Sequence, residues 1–259
     1  MTLRCTALGA VILTAAVAPA LLTHDARSDL RSQPIKVGSF STNSVGSQLP
    51  TGWHELTFRH VRTHTTYTLV ADGPHTVLRA EAHDGASLLY TRADLPSNTY
   101  RTVRWRWKVG RTPGGADLRY RRGDDAAARV YVAFRYRPAL VPLLQRWHYR
   151  LARNRYGEYP PYAGISYVWA HQTAPHTVLR NPSLSRCVEY VIESGEDRAG
   201  RWIEERRDVY RDFVRVFDFP PPRISHVAVM SDADDTGSRS VAWYGDIELV
   251  PEALTDADS

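Results

Sequence analysis

The sequence predicts an all-β fold, an antiparallel two-sheet jelly-roll sandwich with a short helical insert. Three observations predict it. From Ile35 onward the chain runs in short period-2 segments rich in Val, Tyr, Trp and Thr, broken by Gly, Pro, Asn and Asp. Those segments recur at regular, short intervals, the habit of a sandwich. Only two stretches carry a helical period, and no internal repeat is present.

The segments, in order, are Ile35–Phe40, Trp53–Phe58, Thr66–Val70, Thr76–Ala82, Ser87–Tyr90, Thr102–Val109, Ala127–Tyr136, Ile165–Ala170, Cys187–Glu193, Trp202–Arg207, Ile224–Met230 and Ser240–Val250. Asp72-Gly73 and Asp84-Gly85 separate neighbours at spacings that suit hairpins. Alternation assigns faces in several strands. Val103, Trp105, Trp107 and Val109 share one face, and Arg104, Arg106 and Lys108 the other. Val130, Val132 and Phe134 face the core, opposite Arg129, Tyr131 and Arg135. In the last segment Val241, Trp243, Ile247 and Leu249 read as inward, and Tyr244, Asp246 and Glu248 as outward. Leu140, Leu144, Trp147 and Leu151 recur at helical spacing and mark the amphipathic insert, closed by Tyr159-Pro160-Pro161. Val209, Phe213, Val216 and Phe217 mark a second short helix, stopped before Pro220-Pro221-Pro222.

Residues 1–20 read as a signal peptide. Arg4 supplies the positive charge, Ala7 to Leu22 is small and apolar, and Ala18-Pro19-Ala20 fits a small-x-small cleavage site. A retained single-pass anchor is the competing reading. A polar leader, 21–34, precedes the sandwich domain, 35–250, and an acidic tail, 251–259, follows it. Export, to a periplasmic or secreted location, is therefore expected, with no transmembrane segment in the mature chain. Of the two cysteines only Cys187 lies beyond the cleavage site, which leaves a lone thiol and no internal disulfide.

The net charge of +5 comes almost wholly from arginine, since Lys36 and Lys108 are the only lysines. Charges of both signs are interspersed without a long basic block, which speaks against nucleic acid as a partner. No Gly-x-Ser-x-Gly, His-Glu-x-x-His or phosphate-cradling glycine loop is present, and the histidines are scattered. Glu204 and Glu205 are adjacent in a strand and so face opposite ways, unlike a glycosidase pair.

Three motifs carry candidate chemistry. Asp232-Ala233-Asp234-Asp235-Thr236-Gly237 gathers three carboxylates in one turn. Asp232, Asp234 and Asp235 suit a structural Ca²⁺, which takes about 6–8 oxygens, or a turn whose Asp side chains bond their own backbone. Gly123-Asp124-Asp125 stands before the strand bearing Arg129 and Tyr131, a set suited to sugar hydroxyls or a cation, or to a solvated turn. Ile165, Tyr167 and Trp169 share one side of their strand. If that side lines an open concave sheet, Tyr167 and Trp169 are stacking platforms, whereas Trp105, Trp107 and Trp243 default to packing.

Taken together, Gly123 to Val132, Ile165 to Trp169, Ser231 to Gly237 and Ala242 to Ile247, with Trp105 to Val109, resemble the bacterial family called domain of unknown function 3047. The similarity spans roughly Phe40 to Leu249. In that family the acidic turn more often has Asn where this chain has Asp235. The resemblance implies an exported protein with a jelly-roll sandwich similar to carbohydrate-binding modules, and no activity. It also makes Asp124, Asp125, Arg129, Asp232 and Asp235 parts of the family's signature. The expected function is a non-catalytic module contacting a polysaccharide or cell-envelope glycan. The alternative is a lyase on an acidic glycan, with Arg129 and Tyr131 at the reacting bond.

Overall fold

The β-branched and aromatic runs form strands because their side chains pack on both faces of a pleated surface. The computed structural model describes residues 33–46, 48–182 and 186–252. The expected signal peptide 1–20, most of the leader 21–34 and most of the acidic tail 251–259 lie outside the described residues.

Two sheets make the sandwich. In the first, the order is β11 (Ile203–Asp208), β6 (Tyr100–Arg111), β13 (Arg239–Pro251), β4 (His75–His83) and β3 (Thr66–Asp72). Here β1 (Ile35–Gly38) pairs with the second half of β13. In the second, the order is β2 (Trp53–Thr57), β5 (Ala86–Leu95), β12 (Ile224–Asp232), β7 (Ala128–Phe134), β8 (Ala163–Ala170), β10 (Cys187–Ser194) and β9 (Val178–Arg180). The chain changes sheet repeatedly, as a jelly roll does. Among the described residues every strand pairing is antiparallel except β8 with β10, which is parallel, and an isolated parallel bridge joins Thr63 to Gly85.

All twelve expected strands are present, and β9 is an additional three-residue strand. Asp72-Gly73 closes the β3–β4 hairpin, with Asp72 opposite His75. Asp84-Gly85 does something else: β4 and β5 lie in different sheets, so it is a corner rather than a hairpin.

The inward face of β6 is Val103, Trp105, Trp107 and Val109, all buried. β13 departs from simple alternation. A bulge between Tyr244 and Ile247 inserts an extra residue and shifts the phase by one. Ahead of it Ala242 and Tyr244 point inward, and Val241 and Trp243 point outward; beyond it Ile247 and Leu249 are the buried pair. The inward reading of Val241 and Trp243, and the outward one of Tyr244, is thus corrected by the bulge.

Aromatic side chains fill the interior, with Trp105 stacked on Tyr167 at 5.3 Å and Trp107 edge-on to Trp169 at 5.9 Å. Two α-helices stand among the described residues. α1 (Arg146–Tyr156) lies in the insert between β7 and β8, after two short 3₁₀ turns. α2 (Val209–Phe217) follows β11 and is capped by Asp208, which accepts from the Arg211 amide at 2.8 Å. α2 buries Val209 and Phe213, the latter against Phe134 at 4.5 Å.

Candidate functional site

The family motifs converge at the start of β7. Arg129 is buried, 1 % exposed, because a small apolar layer of Leu118, Ala126, Val168, Ala170 and Val191 covers the outer face of the second sheet beside it. Its guanidinium is fully engaged. Nε donates to Asp232 Oδ1 at 3.2 Å, Nη1 to Glu189 Oε1, and Nη2 to Asp124 Oδ1 at 3.0 Å and to the Asp124 carbonyl at 2.8 Å. Asn181 Nδ2 donates to both Asp124 and Glu189 at 3.0 and 2.9 Å. The Arg129 amide donates to the Tyr244 hydroxyl, which in turn donates to the Met230 carbonyl at 2.6 Å. Tyr244 thereby ties the first sheet to the hub in the second.

One cation thus meets three carboxylates in a low-dielectric setting. Burial opposes the arginine's charge, but Asp232 and Glu189 outweigh it and its pKa rises. Burial pushes the Asp232 and Glu189 carboxyls up, with Arg129 pulling each back down. Glu189 Oε2 is buried and has no hydrogen-bond partner among the described residues.

Asp125 is fully buried and fastens the acidic turn to this hub. Its Oδ1 accepts from the Asp235 amide at 3.1 Å, and its Oδ2 from the Thr236 amide and hydroxyl at 2.8 and 2.6 Å. Gly237 completes the turn at φ +62°, a left-handed conformation that glycine adopts freely. The expected metal set was Asp232, Asp234 and Asp235. The carboxylates that converge are Asp125, Asp232 and Asp234, one oxygen from each lying within 4.8 Å of the others. Two ligands of one Ca²⁺ at about 2.3–2.6 Å each would stand that far apart or less, so this trio is the set able to hold a hard cation. Asp235 contributes charge to the same neighbourhood: burial, then Asp125 and Asp234, push its carboxyl up to about 6.

Of the expected ligand-contacting residues, Asp124, Asp125 and Arg129 come together here. Tyr131 is further along the same face of β7, with its hydroxyl 3.8 Å from the Met230 sulfur. Tyr167 and Trp169 are 0 % exposed and face the interior, so neither is a stacking platform. The side they share is the packed inner face of the second sheet, not an open concave one. Tyr167 donates to Asp212 at 2.9 Å and Trp169 to the Gly195 carbonyl at 2.9 Å. Nor do Arg104 and Arg106 share a polar face with Arg129 and Tyr131. The first pair lies on the outer face of the first sheet and the second on the outer face of the other.

That outer face of the first sheet carries a partly exposed constellation of its own. Lys108 sits over Trp202 at 5.1 Å and over Trp243 at 4.8 Å, and Arg106 over Trp202 at 4.8 Å. Asp72 accepts from Lys108 at 2.8 Å and from the Trp202 indole. The bond from Lys108, foremost, holds the Asp72 carboxyl below its usual range. Trp243 lies flat across Gly110, where a Cβ would come within 2.8 Å of the ring. Both tryptophans stay partly exposed. Further along, Arg206 pairs in register with Arg104. Beyond it opens a cleft of about 250 Å³ lined by Arg206, Arg207, Asp208, Arg211, Asp212 and Arg215.

Sequence reasoning missed Glu189 and Asn181 in the hub, and Asp72 in the strip, whereas Trp202 was among the tryptophans that could serve as stacking platforms. Glu189 had a signal, as a lone acid inside the apolar run Val188 to Val191. Trp243 was misplaced by the bulge in β13.

Residues 51–248 match the family described as "Protein of unknown function (DUF3047)". None of the curated proteins matches the sequence. Among solved structures, the chain is similar to the family 11 carbohydrate-binding module of cellulosomal cellulase Lic26A-Cel5E of Clostridium thermocellum. The two share 9 % identity over 85 % of this chain and 95 % of that one, with a TM-score of 0.42. It is similar also to the family 30 module of cellulosomal cellulase Cel9D-Cel44B of Clostridium thermocellum, at 11 % identity over 85 % and 98 %, TM-score 0.44. A third is the K3 cleaved adhesin domain of Lys-gingipain from Porphyromonas gingivalis W83, at 10 % identity over 83 % and 99 %, TM-score 0.38.

Proposed function

We propose, for a chain that belongs to the DUF3047 family, a non-catalytic role in binding an acidic glycan of the cell envelope after export. The strip Trp202–Lys108–Trp243 on the outer face of the first sheet carries this reading. A sugar presents an apolar C–H face edged by hydroxyls. Partly exposed indoles meet that face, while Asp72, Lys108 and Arg106 offer acceptor and donors at its edge. Lys108 is paired with Asp72 and Arg104 with Glu248, so the excess of cations lies in the cleft, where Arg206, Arg207, Arg211 and Arg215 outnumber Asp208 and Asp212. That excess favours a polymer bearing carboxylates or other anionic groups.

The lyase reading placed Arg129 and Tyr131 at the reacting bond. Arg129 is buried and shared by three carboxylates, so meeting a substrate uronate would require taking the hub apart. Support for export comes from the sequence of the first twenty residues.

Binding to arrays of neutral and acidic polysaccharides tests the proposal. Binding is expected to acidic polymers, weakening as salt rises. No binding to any polysaccharide, with or without Ca²⁺, would overturn it.

A further inference from the structure

We propose that the helical insert is a docking surface for anionic phospholipid. The sequence expectation was an amphipathic insert marked by Leu140, Leu144, Trp147 and Leu151; Leu140 packs against the core, and the other three point outward. Leu143, Leu144, Trp147 and Leu151 are 76, 86, 52 and 55 % exposed. Trp147 and Leu151 stand four residues apart on one face of α1, Leu143 and Leu144 lie in the 3₁₀ turn just before it, and these four exposed side chains are the apolar arc of the insert. The opposite side is the one held to the sandwich: Tyr149 stacks on Tyr136 at 4.2 Å, and Tyr136 meets Tyr159 at 4.7 Å. The apolar arc therefore points away from the body while the helix itself is anchored.

Charge identifies the occupant. From Pro138 to Gly157 the chain has no Asp or Glu, but it has Arg146, Arg150, Arg153 and Arg155. Arg150 is exposed beside the apolar arc, while Arg146 turns its Nε back to the Val141 carbonyl at 2.9 Å. Arg153 continues that flank, its guanidinium 5.0 Å from the centre of the Tyr159 ring. In a symmetric pairing with a second copy, each arc would bring its arginines against the same arginines, and the one carboxylate of the insert, Glu158, is already engaged by Arg92. An anionic bilayer surface meets both features at once. Leucine and tryptophan enter the boundary of the acyl chains, and arginines reach lipid phosphates. The insert leaves from the far end of β7 from Arg129 and the acidic turn, so docking would leave the hub undisturbed.

The test is co-sedimentation of the purified protein with vesicles of phosphatidylcholine alone or mixed with phosphatidylglycerol. Binding is expected to the mixed vesicles and not to phosphatidylcholine alone, and it should weaken with salt. Leu144→Asp with Leu151→Asp should lower the affinity roughly a hundredfold and leave the melting temperature unchanged, since both side chains are exposed. Lipids brominated on their acyl chains should quench fluorescence in the parent protein, and quench it less in Trp147→Phe. No binding to the mixed vesicles, equal binding by the double variant, or equal binding to both vesicle types would overturn the proposal. So would a concentration-dependent dimer abolished by the same two substitutions, which would assign the face to a second copy.

Discussion

Two groups of cations lie on opposite faces of the sandwich, and their surroundings differ. Arg129 is 1 % exposed, and each side of its guanidinium is committed to Asp124, Glu189 or Asp232. Lys108 and Arg106 instead lie against indole rings at a partly open surface, with Asp72 as the one carboxylate bonded to Lys108. Both groups combine charge with conspicuous residues, and both draw on the motifs that carry the family resemblance. A buried cation with every guanidinium nitrogen bonded acts as a structural tie, here joining the loop before β7 to β10 and to the end of β12, where the acidic turn begins. A partly exposed cation beside an indole leaves donors and ring edges at the surface, within reach of a ligand.

Substitutions separate the two. Arg129→Met would leave three buried carboxylates without a counter-charge and should lower stability by about 3–5 kcal/mol in urea unfolding. Arg106→Ala, on the open face, should cost well under about 1 kcal/mol by the same measurement. Asp125→Ala removes three hydrogen bonds that fasten the acidic turn and should cost about 2–4 kcal/mol. Asp125→Asn, which keeps an acceptor oxygen, should cost less.

The acidic turn gives the smallest and most pH-dependent effect. The Asp235 carboxyl is raised from 3.8 to about 6, so its ionisation disfavours the folded state. The sign follows: stability should fall as pH rises from about 4 to about 6, and stay lower above that. Asp235→Asn should remove most of this fall, raising the melting temperature by about 1–3 °C at pH 7 and by little at pH 4. Ca²⁺ held by Asp125, Asp232 and Asp234 should raise the parent's melting temperature more at pH 7 than at pH 5, where protons compete for the same oxygens. Melting curves with chelator and with Ca²⁺ at the two pH values measure both effects.

Much of the fold was legible because period-2 patterning survives wherever one face of a strand is buried. It failed where the backbone itself breaks the period. The bulge at Gly245-Asp246 turned Trp243 outward and Tyr244 inward, and no composition signal marks an inserted residue. β9 has three residues and buries none of them, so it carries no pattern. The hub was half legible. Asp124, Asp125, Arg129 and Asp232 stand in recognisable motifs, but Glu189 and Asn181 reach Arg129 only through the parallel β8–β10 pairing and the β9 edge. The strip was hardly legible, since Asp72, Lys108, Trp202 and Trp243 come from four distant segments that meet only across the sheet.

Calorimetric titration of an acidic polysaccharide into the parent protein, Trp202→Ala, Trp243→Ala and Arg129→Met, with melting curves for each, tests the division between tie and ligand surface most directly. Each tryptophan variant should lose affinity about tenfold or more with only a modest change in melting temperature. Arg129→Met should melt far lower, yet bind as the parent does at temperatures where it remains folded. Unchanged affinity in both tryptophan variants, or binding lost in folded Arg129→Met alone, would contradict it.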